Sequence, residues 1–180
     1  EYAYTKEQEM VRMVAQNKVD GIIALTYNPD LKIPPDVRSV SIDRYLSGST
    51  TCVASDNYNG GRLAAQKLVE NGCKNLAFLR IGSPLTSETN KRRDGFVAEC
   101  EAMQLPCTQK ILMDDAPLSE FEHFLEENLK DGRLAFDGIF CVTDKLAVAV
   151  IKMLRRMGQR VPDRKSTRLN SSHITLSYAV

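Results

Sequence analysis

The sequence predicts an α/β fold whose strands run parallel and are covered on both faces. Three observations carry this. Apolar runs of strand length recur along the chain, as in "DGIIALT" (Asp20 to Thr26), "NLAFLR" (Asn75 to Arg80) and "DGIFCVT" (Asp137 to Thr143). Longer segments with apolar residues at spacings of three and four lie between them, which is the helical period. The runs lack the polar alternation of a half-solvated strand, so they belong to a sheet buried on both sides, with helices as crossovers. With 43% hydrophobic and 26% charged residues the chain is in the globular range, and 180 residues suffice for one ordinary domain or two small lobes.

The elements follow in order. Thr5 to Gln8 reads as a Thr-x-x-Gln capping box, with Met10, Met13, Val14 and Asn17 on one helical face behind it. Three strands come next, at Asp20–Thr26, Ser39–Asp43 and Thr51–Ser55. Asp56 can cap the second helix, whose stripe of Gly61, Ala64, Ala65 and Leu68 lets it lie close to a sheet, and Gly72 closes it. A strand at Asn75–Arg80 precedes a helix marked by Phe96, Cys100 and Met103. "KILM" (Lys110 to Met113) is a strand. Pro117 suits a first helical position, followed by Leu118, Phe121, Leu125 and Leu129 on one face. After the strand Asp137–Thr143, Asp144 can cap a last helix with the stripe Leu146, Val150, Met153, Leu154 and Met157, ended by Gly158.

Residues 163–180, "DRKSTRLNSSHITLSYAV", differ from everything before them. Their polar half has no helical or strand period. Back-translation of Asp163 to His173 gives the sequence of a common DNA sequencing adapter, so the stretch is expected to be a translated artefact and is excluded from fold reasoning. It carries Arg164, Lys165 and Arg168 against Asp163, so without it the formal charge falls from +1 to −1.

That balance bears on "NKRRDGF" (Asn90 to Phe96), which is either a basic patch for nucleic acid or one arginine held in a small-molecule pocket. A slightly acidic body argues against phosphate binding. The five cysteines are odd in number and widely spaced, without a Cys-x-x-Cys, and read as buried free thiols in a reducing cytoplasm. His123 and His173 have no ligand partners at metal spacing. No apolar run reaches membrane-spanning length.

In parallel sheets ligands bind beyond the carboxyl ends of the strands. The residues placed there are Thr26 and Tyr27, Asp43 and Arg44, Asp56, Arg80 to Pro84, Asp114 and Asp115, and Thr143 and Asp144. Asp43-Arg44 offers an acceptor and a guanidinium side by side, suited to neighbouring sugar hydroxyls; a surface ion pair is the plain alternative. Thr143-Asp144 fits a helix cap as well as a site. "NGG" (Asn59 to Gly61) has neither dinucleotide nor Walker spacing. No nucleophile–base pair or carboxylate dyad looks catalytic.

From about residue 4 to Pro162 the chain resembles the effector-binding domain of LacI/GalR-type transcription regulators. "NKVDGIIAL", "VSIDR", "ASDNYNGGRLAAQKLVENGCKNLAFL", "NKRRDGF", "DGIFCVTDKLAVAVI" and "MGQRVPD" occur in the family's order and intervals. The resemblance implies two Rossmann-like lobes with parallel sheets, of the periplasmic-binding-protein-like type I, with a sugar or related metabolite between them. Residues 1–72 would belong to the first lobe and 73–162 to the second. Both lobes would be truncated, with a helix-turn-helix and first strand before Glu1 and the final strands after Pro162. The resemblance assigns Arg92 to ligand oxygens and leaves Lys91 and Arg93 solvated. Asp43 and Arg44 match the pair that grips the sugar in related sugar-binding proteins. Thr143 stands where an asparagine is usual, beside the matching Asp144, and Asp115 stands where several relatives place a stacking aromatic. Asn59 and Thr26 complete the expected ligand-binding set. The resemblance implies no reaction, cofactor or metal. The implied partners are a small-molecule effector, operator DNA through the helix-turn-helix, and a second copy in a homodimer, in the cytoplasm and away from membranes. The same fold also serves periplasmic sugar receptors of transport systems, which remain the alternative.

Overall fold

A computed structural model of the chain describes residues 2–14, 16, 19–26, 28, 30–46, 50–82, 88–113, 115–161 and 175–178. The chain forms two compact units: Glu1–Asn57 with Leu85–Asn90, and Tyr58–Pro84 with Lys91–Val180.

In the first unit, α1 (Tyr2–Met13) precedes a parallel sheet of β1 (Ile22–Ala24), β2 (Ser39–Ile42) and β3 (Thr51–Val53), in that spatial order. Ile23 pairs with Val40, and Val40 with Thr51. The small core joins Val11, Leu31, Ile33 and Val37, with Val14 and Ile22 against it. Two expectations are corrected here. The helix begins at Tyr2, ahead of the Thr5 box. Its core face is that of Val11 and Val14, while Met10 and Met13 are exposed; a shift of one residue turns a helix by about 100°, which separates those faces. Asn17 lies outside the described residues. The sheet is also covered on one side only: Ala24 is buried, whereas Ile23 and Leu25 are 79% and 67% exposed. Successive side chains point to opposite faces, and no described helix packs on the second one.

The second unit holds a four-stranded parallel sheet in the order β5 (Cys107–Met113), β4 (Leu76–Gly82), β8 (Gly138–Cys141), β9 (Thr175–Tyr178). Here both faces are covered. Leu76 and Phe78 of β4 and Phe140 of β8 point toward α2 (Asn57–Glu70) and α3 (Lys91–Ala102), meeting Ala64, Ala65, Leu68, Phe96 and Cys100. Phe78, Phe96 and Phe140 form a mutual cluster with ring centroids 5.1–5.9 Å apart. Ala77, Leu79, Ile139 and Cys141 point the other way, toward Phe121, Phe124 and Leu125 of α4 (Ser119–Glu127) and Leu146, Val150 and Leu154 of α5 (Asp144–Arg156). The sequence places the lobe boundary at residue 72; the compact units divide at Tyr58, because α2 packs with β4 and α3.

Several ends differ from expectation. Pro117 lies two residues ahead of α4, its carbonyl accepting from the Glu120 N–H at 3.0 Å. Leu118 is exposed, and Leu129 belongs to a hairpin of β6 (Leu129–Lys130) and β7 (Arg133–Leu134). Its turn is Asp131-Gly132, both at positive φ (51° and 74°), the Asp-Gly chemistry of a tight hairpin. Gly72 (φ 89°) does close α2: the Cys73 N–H reaches back to the Leu68 carbonyl at 3.1 Å, satisfying a helix-end acceptor. Thr175–Tyr178, within the stretch excluded from fold reasoning, pairs with β8 as a parallel edge strand.

Candidate functional site

In the first unit the candidate residues stand at strand ends. Asp43 follows β2 and takes the left-handed conformation, φ 54°, uncommon for a residue with a side chain. Three bonds fix the backbone there. The Asp43 N–H donates to the Val53 carbonyl at 3.0 Å, its carbonyl accepts from the Glu88 N–H at 3.3 Å, and the buried Ser41 hydroxyl donates to the Arg44 carbonyl at 2.6 Å. The Asp43 Oδ1 is buried and has no hydrogen-bond partner among the described residues. A buried carboxylate oxygen without a donor is costly, so its position calls for one. Arg44 is half-buried beside it.

Thr26 is placed differently. It is 6% exposed; its hydroxyl donates toward the Glu7 carboxylate, 2.8 Å from each oxygen, and accepts from the Asn28 N–H at 2.9 Å. Its single proton is committed to holding α1 against the end of β1, leaving a ligand one lone pair. Tyr27 lies outside the described residues.

In the second unit the structure sets Arg92 against the end of β8, the strand that Thr143 and Asp144 follow. Arg92, on the first turn of α3, donates from Nη1 to the Val142 carbonyl at 3.3 Å. Val142 ends β8, and the next residue, Thr143, caps α5 with φ −138° and ψ 153°, its hydroxyl accepting from the Leu146 N–H at 3.3 Å. The cap is Thr143 and not Asp144. Asp144 is the exposed first residue of the helix, where a carboxylate is favoured by the helix dipole. Lys91 and Arg93 are exposed, so of the three cations in "KRR" only Arg92 is half-buried. Asp115 lies in an exposed turn, and Asp114 lies outside the described residues.

Asn59 sits on the part of α2 that crosses α3. A Cβ at Gly61 would collide with the Arg92 carbonyl, and one at Gly95 with the Tyr58 carbonyl, so the two backbones touch on either side of Asn59. Sequence reading missed this crossing and its lock. Glu99, buried on α3, accepts from Arg62 Nε at 2.6 Å and Gln66 Nε2 at 2.7 Å. The bonds from Gln66 and Arg62 hold its carboxyl below the ordinary range, and Glu99 in turn raises the Arg62 guanidinium. The signal was present: Glu99 interrupts the apolar face of Phe96, Cys100 and Met103, and an acid on a core face needs a partner. Arg80, expected just after its strand, is a buried residue within β4, and buried Glu88 was missed. No cluster of three metal-binding side chains occurs among the described residues, and no helix among them is long and apolar enough to cross a membrane.

Comparison with known proteins identifies the family and the fold. Residues 65–166 match the periplasmic binding protein-like domain. The chain is 33% identical over 164 residues to a sucrose operon repressor of Pediococcus pentosaceus, covering 88% of this chain and 48% of the repressor. It is 31% identical over 167 residues to a ribose operon repressor of Halalkalibacterium halodurans, covering 88% and 47%. It thus spans about half the length of the curated relatives it matches. Among solved structures, a periplasmic binding protein/LacI transcriptional regulator from Alkaliphilus metalliredigens complexed with D-xylulofuranose is 28% identical, with a TM-score of 0.67 over 88% of this chain and 59% of that one. The similar proteins are repressors and regulators, and the chain itself belongs to the periplasmic binding protein-like domain family.

Proposed function

We propose that the chain is the effector-binding part of a LacI-type transcription regulator. It binds a sugar or related metabolite, and each unit carries its own candidate contacts: Asp43 and Arg44 in the first, Arg92, Thr143 and Asp144 in the second. Asn59 lines the approach to Arg92, and Thr26 contributes through its remaining lone pair. Binding changes the affinity of the complete, homodimeric protein for operator DNA, which is held by a segment outside these 180 residues. The site performs no reaction and needs no cofactor, and the protein works in the cytoplasm.

The observation that carries this reading is the Asp43 Oδ1: a buried acceptor without a donor, held by a three-bonded backbone in a conformation that costs energy. A ligand hydroxyl supplies the missing donor, and the adjacent Arg44 supplies donors to the neighbouring oxygen. Repressor relatives and a sugar-bound regulator of the same fold support a regulator over a transport receptor. Control then follows from the effector's different affinities for two states of the protein.

The test is titration calorimetry of the complete protein with D-ribose, D-xylulose and sucrose, wild type against Asp43→Ala. Loss of a hydrogen bond to a charged group costs about 1.5–3 kcal/mol, so affinity for the bound sugar falls roughly tenfold to hundredfold. Equal affinities would remove Asp43 from the site; operator binding that no metabolite alters would remove the regulator reading.

A further inference from the structure

The end of α3 and the start of β5 bring two of the five cysteines into one place. Gln104 takes the left-handed conformation, φ 56°. The Leu105 N–H then donates back to the Cys100 carbonyl at 2.9 Å, and the Gln104 N–H to the Glu101 carbonyl at 3.0 Å. This is a helix-closing turn that reverses the chain. The Leu76 N–H fixes the returning strand through the Pro106 carbonyl at 2.9 Å, which seats Cys107 opposite Leu76 as the first residue of β5. Cys100 and Cys107 therefore meet in the same apolar cluster, and both thiols are free. Cys100 is fully buried, and Cys107 is half-buried at the cluster's margin.

The other three cysteines are placed otherwise. The Cys73 thiol donates to the Asp137 carbonyl at 3.5 Å. Cys141 is buried on the opposite face of the sheet, where burial pushes its thiol up to about 12. Cys52 lies in the first unit. Cys100 and Cys107 instead share the apolar cluster between α3 and β5. The influence of Cys107, then burial, raises the Cys100 thiol, and the influence of Cys100 holds Cys107 below the ordinary thiol range. The pair is asymmetric, with a reachable thiol that ionises more readily and a buried one behind it. This is the arrangement of an attacking and a resolving cysteine.

We propose that Cys100 and Cys107 form a dithiol site that a hydroperoxide converts to a disulfide. The Cys107 thiolate attacks the terminal peroxide oxygen. An S–O bond forms, the O–O bond breaks, and the departing oxygen leaves as water or an alcohol after taking a proton. The Cys100 sulfur then attacks the Cys107 sulfenic sulfur. The S–S bond forms, the S–O bond breaks, and the hydroxide leaves as water with the Cys100 proton. Two thiols are oxidised by two electrons, and one peroxide is reduced. The bridge ties the last turn of α3, the helix that carries Arg92 at its other end, to the edge strand of the sheet.

The complete protein, treated with hydrogen peroxide and then denatured and alkylated, tests this by peptide mapping. Both cysteines fall in the tryptic peptide Asp94–Lys110, and cleavage after Glu101 separates them. The expected product is that peptide lighter by two hydrogens, refractory to alkylation until reduced, and still joined after the second cleavage. Cys52, Cys73 and Cys141 remain alkylated. Cys100→Ser is expected to strand Cys107 as a sulfenic acid that dimedone traps, and Cys107→Ser to abolish the bridge. Oxidation confined to other cysteines, or Cys107 advancing to the sulfinic acid in wild type while Cys100 stays alkylatable, would overturn the proposal. The wild-type map decides even where a variant fails to fold.

Discussion

Gly60 and Gly61 are neighbours in α2, and substitution by alanine is expected to move stability in opposite directions. At Gly61 an added Cβ meets the Phe96 nitrogen at 2.8 Å and the Arg92 carbonyl carbon at 2.9 Å, and it collides with the Arg92 carbonyl oxygen. Comfortable non-bonded contact begins near ~3.5 Å, so α3 must retreat by roughly 0.7 Å at Phe96 and further at Arg92. The obstacle is backbone and cannot rotate away. Overpacking of this kind costs about 1–3 kcal/mol, and the upper end applies to a rigid obstacle. Alanine recovers ~1 kcal/mol through helix propensity, which leaves a net loss of about 2 kcal/mol. At Gly60 the same Cβ meets nothing within 4 Å, so only the favourable term of up to ~1 kcal/mol remains. Thermal and urea unfolding of the two variants of the complete protein measures the pair. With about 2–4 °C per kcal/mol for a domain of this size, Gly61→Ala lowers the midpoint by roughly 4–8 °C while Gly60→Ala leaves it level or raises it. Equal midpoints would refute the close crossing of α2 and α3.

Three further expectations follow from other parts of the fold. Asp43→Gly removes both the left-handed strain and the unpartnered carboxylate, so unfolding of the unliganded protein by urea should show a gain of about 1 kcal/mol while calorimetry shows sugar binding lost. Glu99 has its folded pKa depressed by Gln66 and Arg62, so its contribution is present above the unfolded carboxyl pKa and is lost as pH falls through the folded value. Glu99→Gln should therefore flatten the acid side of stability measured from about pH 7 to pH 3, and an unchanged pH profile would exclude the clamp. Phe140→Ala opens a cavity against Phe78 and Phe96 and is expected to cost about 3–5 kcal/mol in urea unfolding; less than ~1 kcal/mol would show that the three rings do not form one packed unit.

What the sequence made legible was what depends on local pattern. Unbroken apolar runs gave the parallel strands, because a strand buried on two faces has no polar alternation to show. Gly72 and Gly158 marked helix ends because left-handed closure favours glycine. The candidates Asp43, Arg44 and Thr143 were named from position after a strand and from family resemblance, and Arg92 from the resemblance alone. The misses have physical causes too. The face of α1 depends on which residues Leu31, Ile33 and Val37 meet, a tertiary choice between two adjacent apolar stripes. The β6–β7 hairpin was written as Asp131-Gly132 but lay in the shadow of the α4 pattern, whose period ran on through Leu129. Gly61 was read as a small residue facing a sheet, and its contact is another helix. Thr26 was placed in the ligand-binding set without its partner, Glu7, which lies 19 residues earlier in the chain. The strand at Thr175–Tyr178 forms through backbone bonds, which any extended segment beside β8 can supply.

The candidate binding residues of the second unit are held in place by backbone, and this separates their roles experimentally. Arg92 reaches the Val142 carbonyl at 3.3 Å, but its helix is positioned by Gly61, by Gly95 and by the Glu99 clamp, none of which uses the Arg92 side chain. Arg92→Ala therefore removes the proposed ligand contact and leaves the crossing intact. It should lower effector affinity by about 1.5–3 kcal/mol while moving the unfolding midpoint less than Gly61→Ala does. Gly61→Ala displaces the whole first turn of α3, so it should lower stability and affinity together. The two variants then occupy different positions on a plot of unfolding midpoint against calorimetric affinity. If Arg92→Ala instead fell beside Gly61→Ala, with a midpoint lowered as far, the arginine would be a strut between α3 and β8 and not a ligand contact.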